Sequence, residues 1–504
     1  MLFNSHIFLL AFLPITWCIY YILRHFKCFK ISLCFLSLAS LVFYGYNDFK
    51  FALLLVASVV INYCLYLAFK RISGANSSVL EGSNIGSRAD SKRIFLLILG
   101  LLYNFGILFY FKYLNFFLTN IGALTGTSFV LKDIVLPLGI SFYTFQQVSF
   151  IIDCYHGNVP SYKFHEYALF VCFFPQLIAG PIVLHTEMVP QFKSDTRTAP
   201  SVSDIYEGAQ FFIIGLAKKL IIADALGRGV DYGYSNILYL NSLSAVVLIL
   251  LYTLQIYFDF SGYCDMAIGL GRLFGFRICE NFNSPYRSLS ISEFWKRWHM
   301  TLTRFFTTYL YIPLGGNRKG YVRTLVNVMI VFLLSGLWHG AAWTFVLWGA
   351  MHGIMMVLER IIGRDRLTRI PALLRFIYTF GFVNCAWVFF RAPDFTSALN
   401  IFKRILHGGA GYILPGISEA IFNNTSATVL DHIGLSFLKS PVFIAIYATV
   451  FILLALYLSI RHKNTQEIVA LGITKSFYPV LLGILFMLSL LSISGVSTFL
   501  YFNF

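Results

Sequence analysis

Charged residues are scarce in this chain, and the sequence motifs of soluble enzymes are absent. Only 12% of its 504 residues are Asp, Glu, Lys or Arg, whereas 58% are hydrophobic. The sequence holds no GxSxG elbow, no HExxH zinc motif and no Walker loop. Its nine cysteines are scattered, without a CxxC pair or a metal-ligand spacing. We therefore expect membrane-buried or reduced thiols, no metal site and no resident cofactor.

Long hydrophobic runs are abundant. Mean hydropathy is +0.74, and apolar runs of about 20 residues, each long enough to cross a bilayer, recur from end to end. We predict an all-α polytopic membrane protein that forms a single domain over residues 1–504. Candidate spans lie near 7–23, 31–46, 51–69, 94–118, 134–152, 167–184, 209–227, 237–258, 325–358, 372–391, 441–460 and 477–497.

The net charge of +16 points to lipid headgroups rather than to nucleic acid. Basic loops at 24–30 and 70–93 alternate with nearly neutral loops, so the positive-inside rule places them in the cytoplasm and the amino terminus outside. The basic break at 461–464, between the last two spans, is also expected in the cytoplasm, which puts the carboxyl terminus outside. The most basic long stretch is 261–323, with nine Lys or Arg against three Asp or Glu. We expect it at the cytoplasmic interface. Residues 392–440 are rich in Gly, Asn and Ser, and we expect a loop with short helices there.

Histidine is the only kind of ionisable side chain in one long apolar run, which has no Lys, Arg, Asp or Glu. The run is 325–358, and it holds His339 in the sequence GLWHG. An ionisable group at membrane depth costs free energy, so it is a functional candidate by default. Burial disfavours the imidazolium form, which leaves a neutral base that can accept a proton. The alternative is a packing histidine, and for His352 the structural and functional readings are equally open. We expect Gly336 and Gly340 to bend or break the run beside His339.

A second histidine lies in a basic amphipathic segment, residues 290–306. Ser290 and Glu293 form a capping-box pattern at its start. Apolar residues and His299 then recur at helical spacing, so we predict one helix with His299 on its buried face. The alternative is a helix that only anchors to the lipid surface, but such an anchor has no need of a buried histidine.

Two other segments combine Pro and Gly with apolar neighbours, at 173–181 and 309–317. Irregular backbone at membrane depth survives only where protein or water satisfies its polar groups. We therefore expect re-entrant structure at both places.

Several blocks resemble the membrane-bound O-acyltransferase (MBOAT) superfamily, in particular its branch that O-acetylates alginate and other cell-envelope polysaccharides. The histidine blocks are the most diagnostic, and the resemblance weakens in 70–93 and 392–440. The matching blocks are 137–146 (PLGISFYTFQ), 174–181 (FPQLIAGP), 258–263 (FDFSGY), 280–286 (ENFNSPY), 293–317, 336–340 (GLWHG) and 387–391 (WVFFR).

The resemblance implies a ring of about 11–13 tilted transmembrane helices with re-entrant segments around a central funnel, in a bacterial inner membrane. It places the family's near-invariant histidine on His339 and its second catalytic position on His299. It also implies a cytoplasmic thioester donor, acetyl-CoA or an acyl carrier protein, and a periplasmic SGNH-type partner that acetylates the glycan. Residues expected to contact the donor are Trp338, Trp298, Lys296, Arg297, Arg304 and Asn317.

The chemistry we expect is direct transfer, since no nucleophilic Ser or Cys stands out. His339 would take the proton of an acceptor hydroxyl, whose oxygen attacks the thioester carbonyl. His299 would orient the thioester or stabilise the oxyanion, helped by Trp338. The acceptor, whether alginate-like, cellulose-like or peptidoglycan, stays open.

Two other functions remain as alternatives. Within the family, the rival is D-alanyl transfer to teichoic acid. In another class, it is a transporter or flippase, since broken helices and intramembrane polar groups occur there too. The sequence has no visible inverted repeat, which argues against transport.

Overall fold

The computed structural model describes residues 1–76, 85–194, 196–422, 439–472, 477–493 and 499–500, and this part of the chain is helical without strands. Four π-helical segments and two 3-10 turns interrupt or extend the α-helices. The α-helices are α1 Leu13–His25, α2 Phe29–Gly45, α3 Phe49–Asn76, α4 Ile85–Leu108, α5 Leu114–Thr125, α6 Ile140–His156, α7 Phe164–Cys172, α8 Phe174–Leu177, α9 His185–Ser194, α10 Val202–Ala217, α11 Asp224–Ser235, α12 Ser242–Leu273, α13 Ile291–Arg297, α14 Met300–Phe306, α15 Tyr321–His339, α16 Trp343–Ile362, α17 Arg364–Arg369, α18 Ala372–Arg391, α19 Phe395–His407, α20 Pro415–Phe422, α21 Pro441–Ile460, α22 Thr465–Ala470 and α23 Phe477–Leu491. The π-helical segments are Phe8–Phe12, Phe109–Tyr113, Lys218–Ala223 and Thr307–Tyr311, and the 3-10 turns are Ile237–Tyr239 and Pro285–Arg287.

Within the described residues, eight helical segments are long and apolar enough to cross a bilayer, and α2 and α23 are shorter apolar helices. This confirms the prediction of an all-α polytopic membrane protein. The number of about 11–13 crossings, the ring and the central funnel stay predictions. The eight segments are Phe8–His25, Phe49–Ile72, Asp90–Thr125, Ser242–Leu273, Tyr321–His339, Trp343–Ile362, Ala372–Arg391 and Pro441–Ile460.

Three of the twelve predicted spans are not simple apolar crossings, for local reasons. The helix expected at 134–152 begins only at Ile140, because Gly139 takes a left-handed conformation (φ 72°) after Pro137. The span at 167–184 ends at Cys172, and only the four-residue α8 follows. The span at 209–227 lies in a continuous helical stretch that carries Lys218, Lys219 and Asp224.

The irregular backbone expected at 173–181 is present and buried. Phe173 leaves the helical conformation (ψ 109°), and residues 178–184 are not helical. The Gln176 side-chain amide donates a 2.7 Å hydrogen bond to the Phe170 carbonyl, which satisfies one of the polar groups that the break exposes. The second predicted break follows Tyr311, where Gly315 (φ 104°) and Gly316 (φ 53°) turn the chain. Whether either segment re-enters the membrane stays a prediction.

The chain divides into two compact units. Unit 1 holds residues 1–3, 7–208 and 270–279, and unit 2 holds 4–6, 209–269 and the described part of 280–504. The prediction of one domain over 1–504 stays a prediction. Residues 261–273 complete α12 rather than starting the interfacial segment predicted at 261–323. In 392–440, α19 and α20 are the short helices expected, and 423–438 lie outside the described residues.

Unit 1 is held by aromatic packing and by buried polar contacts. The rings of Phe3 and Phe43 stack with centroids 5.4 Å apart. The fully buried His185 bridges two partners, since its ring nitrogens lie 3.0 Å from Asp153 Oδ2 and 2.9 Å from the Tyr162 hydroxyl. These contacts join α6, the loop after it and α9.

Unit 2 contains three lysine–carboxylate ion pairs, made by two lysines that are adjacent in the sequence. Lys219 Nζ lies 2.6 Å from Asp259 Oδ1 and 2.9 Å from Asp224 Oδ1. Lys218 Nζ lies 2.7 Å from Asp265 Oδ2. Because the charges are paired, these residues can be accommodated in a largely apolar unit.

Candidate active site

His339 is the last residue of α15, and α16 returns beside that helix after a three-residue break. Gly340 is extended (φ −156°, ψ 146°), and α16 begins at Trp343. The prediction of a break next to His339 is confirmed at Gly340. Gly336, by contrast, lies within an unbroken α15.

The glycines of this hairpin allow the two helices to touch. A Cβ atom at Gly336 would lie 2.3 Å from the Phe345 carbonyl oxygen, and one at Gly349 would lie 2.3 Å from the Phe332 carbonyl oxygen. At Gly340 a Cβ would meet the Phe345 ring at 2.2 Å. Small residues at this spacing are the general means by which membrane helices approach closely. The contact fixes the end of α15, and with it the His339 ring.

The segment at 290–306 is two helices rather than the single helix we predicted. Helix α13 ends at Arg297, Trp298 is extended, and His299 adopts a left-handed conformation (φ 45°, ψ 52°) before α14 begins at Met300. The capping interaction at the start is present, because Ser290 Oγ accepts a 3.0 Å hydrogen bond from the Glu293 amide. The prediction of one helix over 290–306, with His299 on its apolar face, is therefore wrong. The helix breaks where the backbone on either side of Trp298 and His299 hydrogen-bonds to residues 281–283.

Residues 281–283 pair with the backbone at the break. The Met300 amide donates to the Asn281 carbonyl (3.0 Å), and the Asn283 amide donates to the Arg297 carbonyl (2.9 Å). The Asn281 side chain is buried and approaches the imidazole, with Oδ1 3.1 Å from His299 Nδ1. These bonds replace the helical ones that the break removes.

The two sequence-predicted histidines meet in the fold. The ring centroids of His299 and His339 lie 6.3 Å apart, and both side chains are buried. Trp338 completes the cluster, with its ring 6.1 Å from His299 and 4.8 Å from His339. Trp348 and Phe390 cover His339 at 5.1 and 5.3 Å. The arrangement places two basic nitrogen heterocycles and one indole N–H donor within a largely apolar shell.

Burial sets the protonation state of His299, which lies outside the membrane-spanning segments. Burial lowers the pKa of His299 from 6.5 to about 3. The imidazole is therefore neutral across the physiological range and presents one donor and one acceptor nitrogen.

Helix α16 supports the histidine-bearing segment through two residues. The buried Glu359 carboxylate accepts the amides of Ile291 (2.6 Å) and Ser292 (2.9 Å), the first residues of α13. The fully buried His352 accepts a 3.1 Å hydrogen bond from the Trp295 indole at Nδ1. A carboxylate at a helix N-terminus satisfies orphan amides and complements the helix dipole. The geometry gives His352 a structural role, and nothing in the sequence pattern singled out Glu359.

The other residues predicted to bind the donor differ in their surroundings. The fully buried Trp298 ring packs on Trp387 (5.1 Å). Arg297 is paired with Glu293 at 3.0 Å. Lys296 and Asn317 are exposed, and Arg304 is half-buried on α14. Trp338 has ring contacts with both histidines, and donor binding by all six residues stays a prediction.

A small polar cavity adjoins the Asn281 side of the cluster. It measures about 20 Å³, room for one water molecule. Its lining reaches from Asn281, Ser261 and Asp265 to Asn464 and Gln466. In the described part of the chain, no group of three His, Cys, Asp or Glu side chains is arranged to hold a metal ion.

Comparison with known proteins matches this chain to one protein family. The membrane-bound O-acyltransferase family matches residues 92–393, a range that contains both histidines. The peptidoglycan O-acetyltransferase of Helicobacter pylori is 37% identical over 539 aligned positions, which cover 100% of this chain and 98% of that protein. The probable alginate O-acetylase AlgI of Pseudomonas aeruginosa is 40% identical over 414 positions, 81% of this chain and 75% of that protein.

A more distant relative bears on the alternative within the family. The teichoic acid D-alanyltransferase of Bacillus subtilis is 27% identical over 278 positions, 52% of this chain and 70% of that protein. The family match covers more than half of the chain, and the two relatives above exceed 30% identity over most of it. This chain is therefore a member of the membrane-bound O-acyltransferase family, a multi-pass membrane acyltransferase.

Proposed function

We propose that this protein is a membrane O-acetyltransferase, which moves an acetyl group from a cytoplasmic thioester across the inner membrane for O-acetylation of a cell-envelope polysaccharide. The donor is acetyl-CoA or an acyl carrier protein, and the acceptor is peptidoglycan or an alginate-like or cellulose-like glycan. The observation that carries the proposal is the buried histidine pair, with ring centroids 6.3 Å apart. The names of two relatives, a peptidoglycan O-acetyltransferase and a probable alginate O-acetylase, supply the acetyl group and the class of acceptor.

In this proposal, the two histidines divide the work. His339 accepts the proton of an acceptor hydroxyl, whose oxygen forms a bond to the thioester carbonyl carbon. The carbon–sulfur bond then breaks, and the thiolate leaves with the proton that His339 returns. His299 orients the thioester or stabilises the oxyanion, with the Trp338 indole as a second donor. A correctly positioned general base contributes about 10²–10⁴-fold in rate.

The direction of α15 supports access from both sides of the bilayer. The helix begins at Tyr321, directly after the basic segment that we assign to the cytoplasm, and ends at His339. These 19 residues lead the chain away from the cytoplasmic face, while the 6.3 Å separation of the His339 and His299 rings keeps the pair within reach of the basic segment. An acceptor on the outer side would therefore approach the His339 end of the helix.

The donor would approach from the cytoplasmic side, where the basic residues are. Lys296 is exposed and Arg297 and Arg304 are half-buried, as residues that meet phosphates or an acidic carrier protein need to be. The polar cavity beside Asn281 reaches Asn464, in the basic turn after α21 that we assign to the cytoplasm. At about 20 Å³ it does not hold a thioester, so donor entry by this path requires it to widen.

Two further parts of the proposal concern topology and partners. The positive-inside rule puts the basic loops at 24–30 and 70–93 and the basic break at 461–464 in the cytoplasm, so both termini face the periplasm. The acetyl group is handed to a periplasmic SGNH-type transferase, which completes the reaction on the glycan. Anionic lipid headgroups accommodate the remaining positive charge, and no nucleic acid is involved.

D-alanyl transfer to teichoic acid is the second candidate, and the match to the D-alanyltransferase relative is the observation in its favour. That match covers 52% of this chain, whereas the O-acetyltransferase relative covers all of it. The transporter or flippase alternative is not carried further, because the chain belongs to an acyltransferase family.

Mass spectrometry of envelope polysaccharides, from cells with and without the protein, tests the proposal. We expect ester-linked acetyl groups to disappear without it and to stay absent when His339→Gln replaces the wild type. The matched control is His185→Gln, which removes an equally buried imidazole from unit 1. Loss of D-alanine in place of acetyl would favour the second candidate. Unchanged acetylation with correctly inserted His339→Gln would refute the assignment of the base.

A further inference from the structure

The side-chain oxygen of Asn281 is the shared hydrogen-bond acceptor of a small network beside the histidine pair. Asn281 Oδ1 lies 3.1 Å from His299 Nδ1, 3.2 Å from the Thr301 backbone nitrogen and 3.0 Å from Thr301 Oγ1. The amide nitrogen points the other way, 3.4 Å from Cys264 Sγ. Asn281 is about 1% exposed, so bulk solvent does not compete for these bonds.

The backbone donor fixes the chemistry of the other partners. A backbone N–H only donates, so the Asn281 atom that faces Thr301 N must be the oxygen and not the amide nitrogen. An amide oxygen only accepts. The ring nitrogen facing the same oxygen must then carry a proton, and His299 is in its Nδ1–H tautomer.

This tautomer decides what the second ring nitrogen can do. In a neutral imidazole with Nδ1 protonated, Nε2 has a lone pair and no hydrogen. The ring is neutral because burial disfavours its cation. Nε2 can accept a hydrogen bond from a substrate N–H or O–H, but it cannot donate one to an oxyanion.

We propose that Asn281 is a positioning residue, which holds the His299 ring in the Nδ1–H tautomer so that Nε2 accepts a hydrogen bond from the substrates. This inference rests on the proposed acyl transfer and chooses between the two roles given above for His299. The ring orients an N–H or O–H donor, for which the pantetheine arm shared by acetyl-CoA and carrier-protein thioesters offers amide N–H groups. Oxyanion stabilisation then falls to a true donor, such as the indole of Trp338.

Titratable groups lie on both sides of the Asn281–His299 contact. His339 on α15 faces the ring and Cys264 on α12 faces the Asn281 amide, and the cavity on the Asn281 side is lined by Lys218, Asp265 and Glu280. The aromatic rings of Phe260 and Trp338 lie 4.8 and 6.1 Å from the imidazole. Asn281 Oδ1 contacts Nδ1 itself, so a change at Asn281 alters the proton on that nitrogen without touching the ring.

The test compares three variants of the full-length protein in membrane vesicles, with acetyl-coenzyme A as the donor probe. Asn281→Leu keeps the volume but removes the acceptor, whereas Asn281→Asp keeps an acceptor oxygen. The matched control is Asn327→Leu, which removes an equally buried amide on α15 that donates to the Gly316 carbonyl (3.0 Å) and does not contact the imidazoles. The readouts are kcat, KM for the donor and the pH profile, each per inserted molecule.

Partners that orient metal-bound histidines are worth about 10–100-fold, and we expect a loss of kcat in that range for Asn281→Leu. Asn281→Asp should recover most of the rate at alkaline pH. Its acid limb should move up by about 1–3 pH units, because a carboxylate beside the imidazole favours the imidazolium, which has no acceptor nitrogen. Asn327→Leu should keep kcat close to the wild-type value even where it lowers stability.

The outcomes separate this inference from the proposed function. Wild-type kcat in Asn281→Leu, or a folded Asn281→Asp as inactive as Asn281→Leu, overturns the inference. If Asn281→Leu does not insert, the acid limb of Asn281→Asp decides: a shifted limb supports the inference, and an unshifted limb overturns it. Full transfer by His339→Gln in the same vesicles would instead overturn the proposed function.

Discussion

The contact between α15 and α16 makes Gly336→Ala a sensitive probe of how the hairpin positions His339. An added Cβ would lie 2.3 Å from the Phe345 carbonyl oxygen, where ordinary contact begins at 3.4 Å. The backbone oxygen cannot rotate away, so the helices must separate by the difference, about 1 Å. Overpacking of this kind costs about 1–3 kcal/mol of unfolding free energy.

The same displacement should reach the chemistry. His339 follows Gly336 by one turn of α15, and a 1 Å misplacement of a reacting group can cost about 10²-fold in rate. We expect Gly336→Ala to lower kcat by about this factor and to lower the thermal unfolding midpoint in detergent. Gly349→Ala should behave alike, because its Cβ would lie 2.3 Å from the Phe332 carbonyl oxygen.

Gly381→Ala is the matched control, on α18. Nothing lies within 4 Å of a Cβ added at Gly381, so this variant should keep its activity and gain up to about 1 kcal/mol from the better helix propensity of alanine. The two substitutions are chemically identical and should have opposite effects on stability. Equal stability and equal kcat for Gly336→Ala and Gly381→Ala would contradict the close approach of the two helices.

Three further predictions concern the support of the histidine pair. Glu359→Gln places an amide N–H donor opposite one of the two α13 backbone amides that now donate to the carboxylate, so the unfolding free energy should fall by about 1–3 kcal/mol. An unchanged thermal unfolding midpoint would argue against the capping of α13 by Glu359. His352→Gln removes the acceptor of the Trp295 indole and should lower stability while acetyl transfer remains measurable, and complete loss of transfer in folded protein would count against its structural role. Burial lowers the pKa of the folded His299 imidazole to about 3, whereas the unfolded imidazole has its ordinary pKa of 6.5. As the pH falls from about 6.5 towards 3, the unfolded state therefore binds a proton first, and the free energy of unfolding decreases. The unfolding free energy of His299→Gln, measured by denaturation between pH 4 and 7, should fall less steeply with decreasing pH than that of the wild type. Equal slopes for the two proteins would contradict a buried, neutral His299.

Much of the helical framework could be predicted from the sequence because hydrophobic runs report membrane spans directly. The run at 325–358 contains two helices that are long and apolar enough to cross a bilayer, and the run at 372–391 is a third. The break at Gly340 follows from a residue that tolerates extended backbone between two helices. His339 could be singled out because the run around it has no other ionisable residue except His352. Composition and local pattern were sufficient at these places.

The surroundings of His299 could not be predicted in the same way, because contacts distant in sequence determine them. Nothing local in 290–306 marks the break at Trp298 and His299, which forms where the backbone pairs with residues 281–283. Glu359 looks like an ordinary helix-end charge, yet it caps α13 from 68 residues away. Local propensity was overridden by tertiary hydrogen bonds, and the sequence pattern contains no signal for them.

Single-turnover acetyl transfer by the purified protein tests the central claim most directly. The donor is acetyl-coenzyme A with a labelled acetyl group, and the acceptor is a soluble envelope glycan supplied together with the periplasmic SGNH-type transferase. The comparison is between wild type and His339→Gln, with thermal unfolding measured on the same samples. We predict transfer by the wild type and at least a 10²-fold lower rate for a folded His339→Gln. Comparable rates for the two proteins would contradict a buried imidazole base at the end of α15.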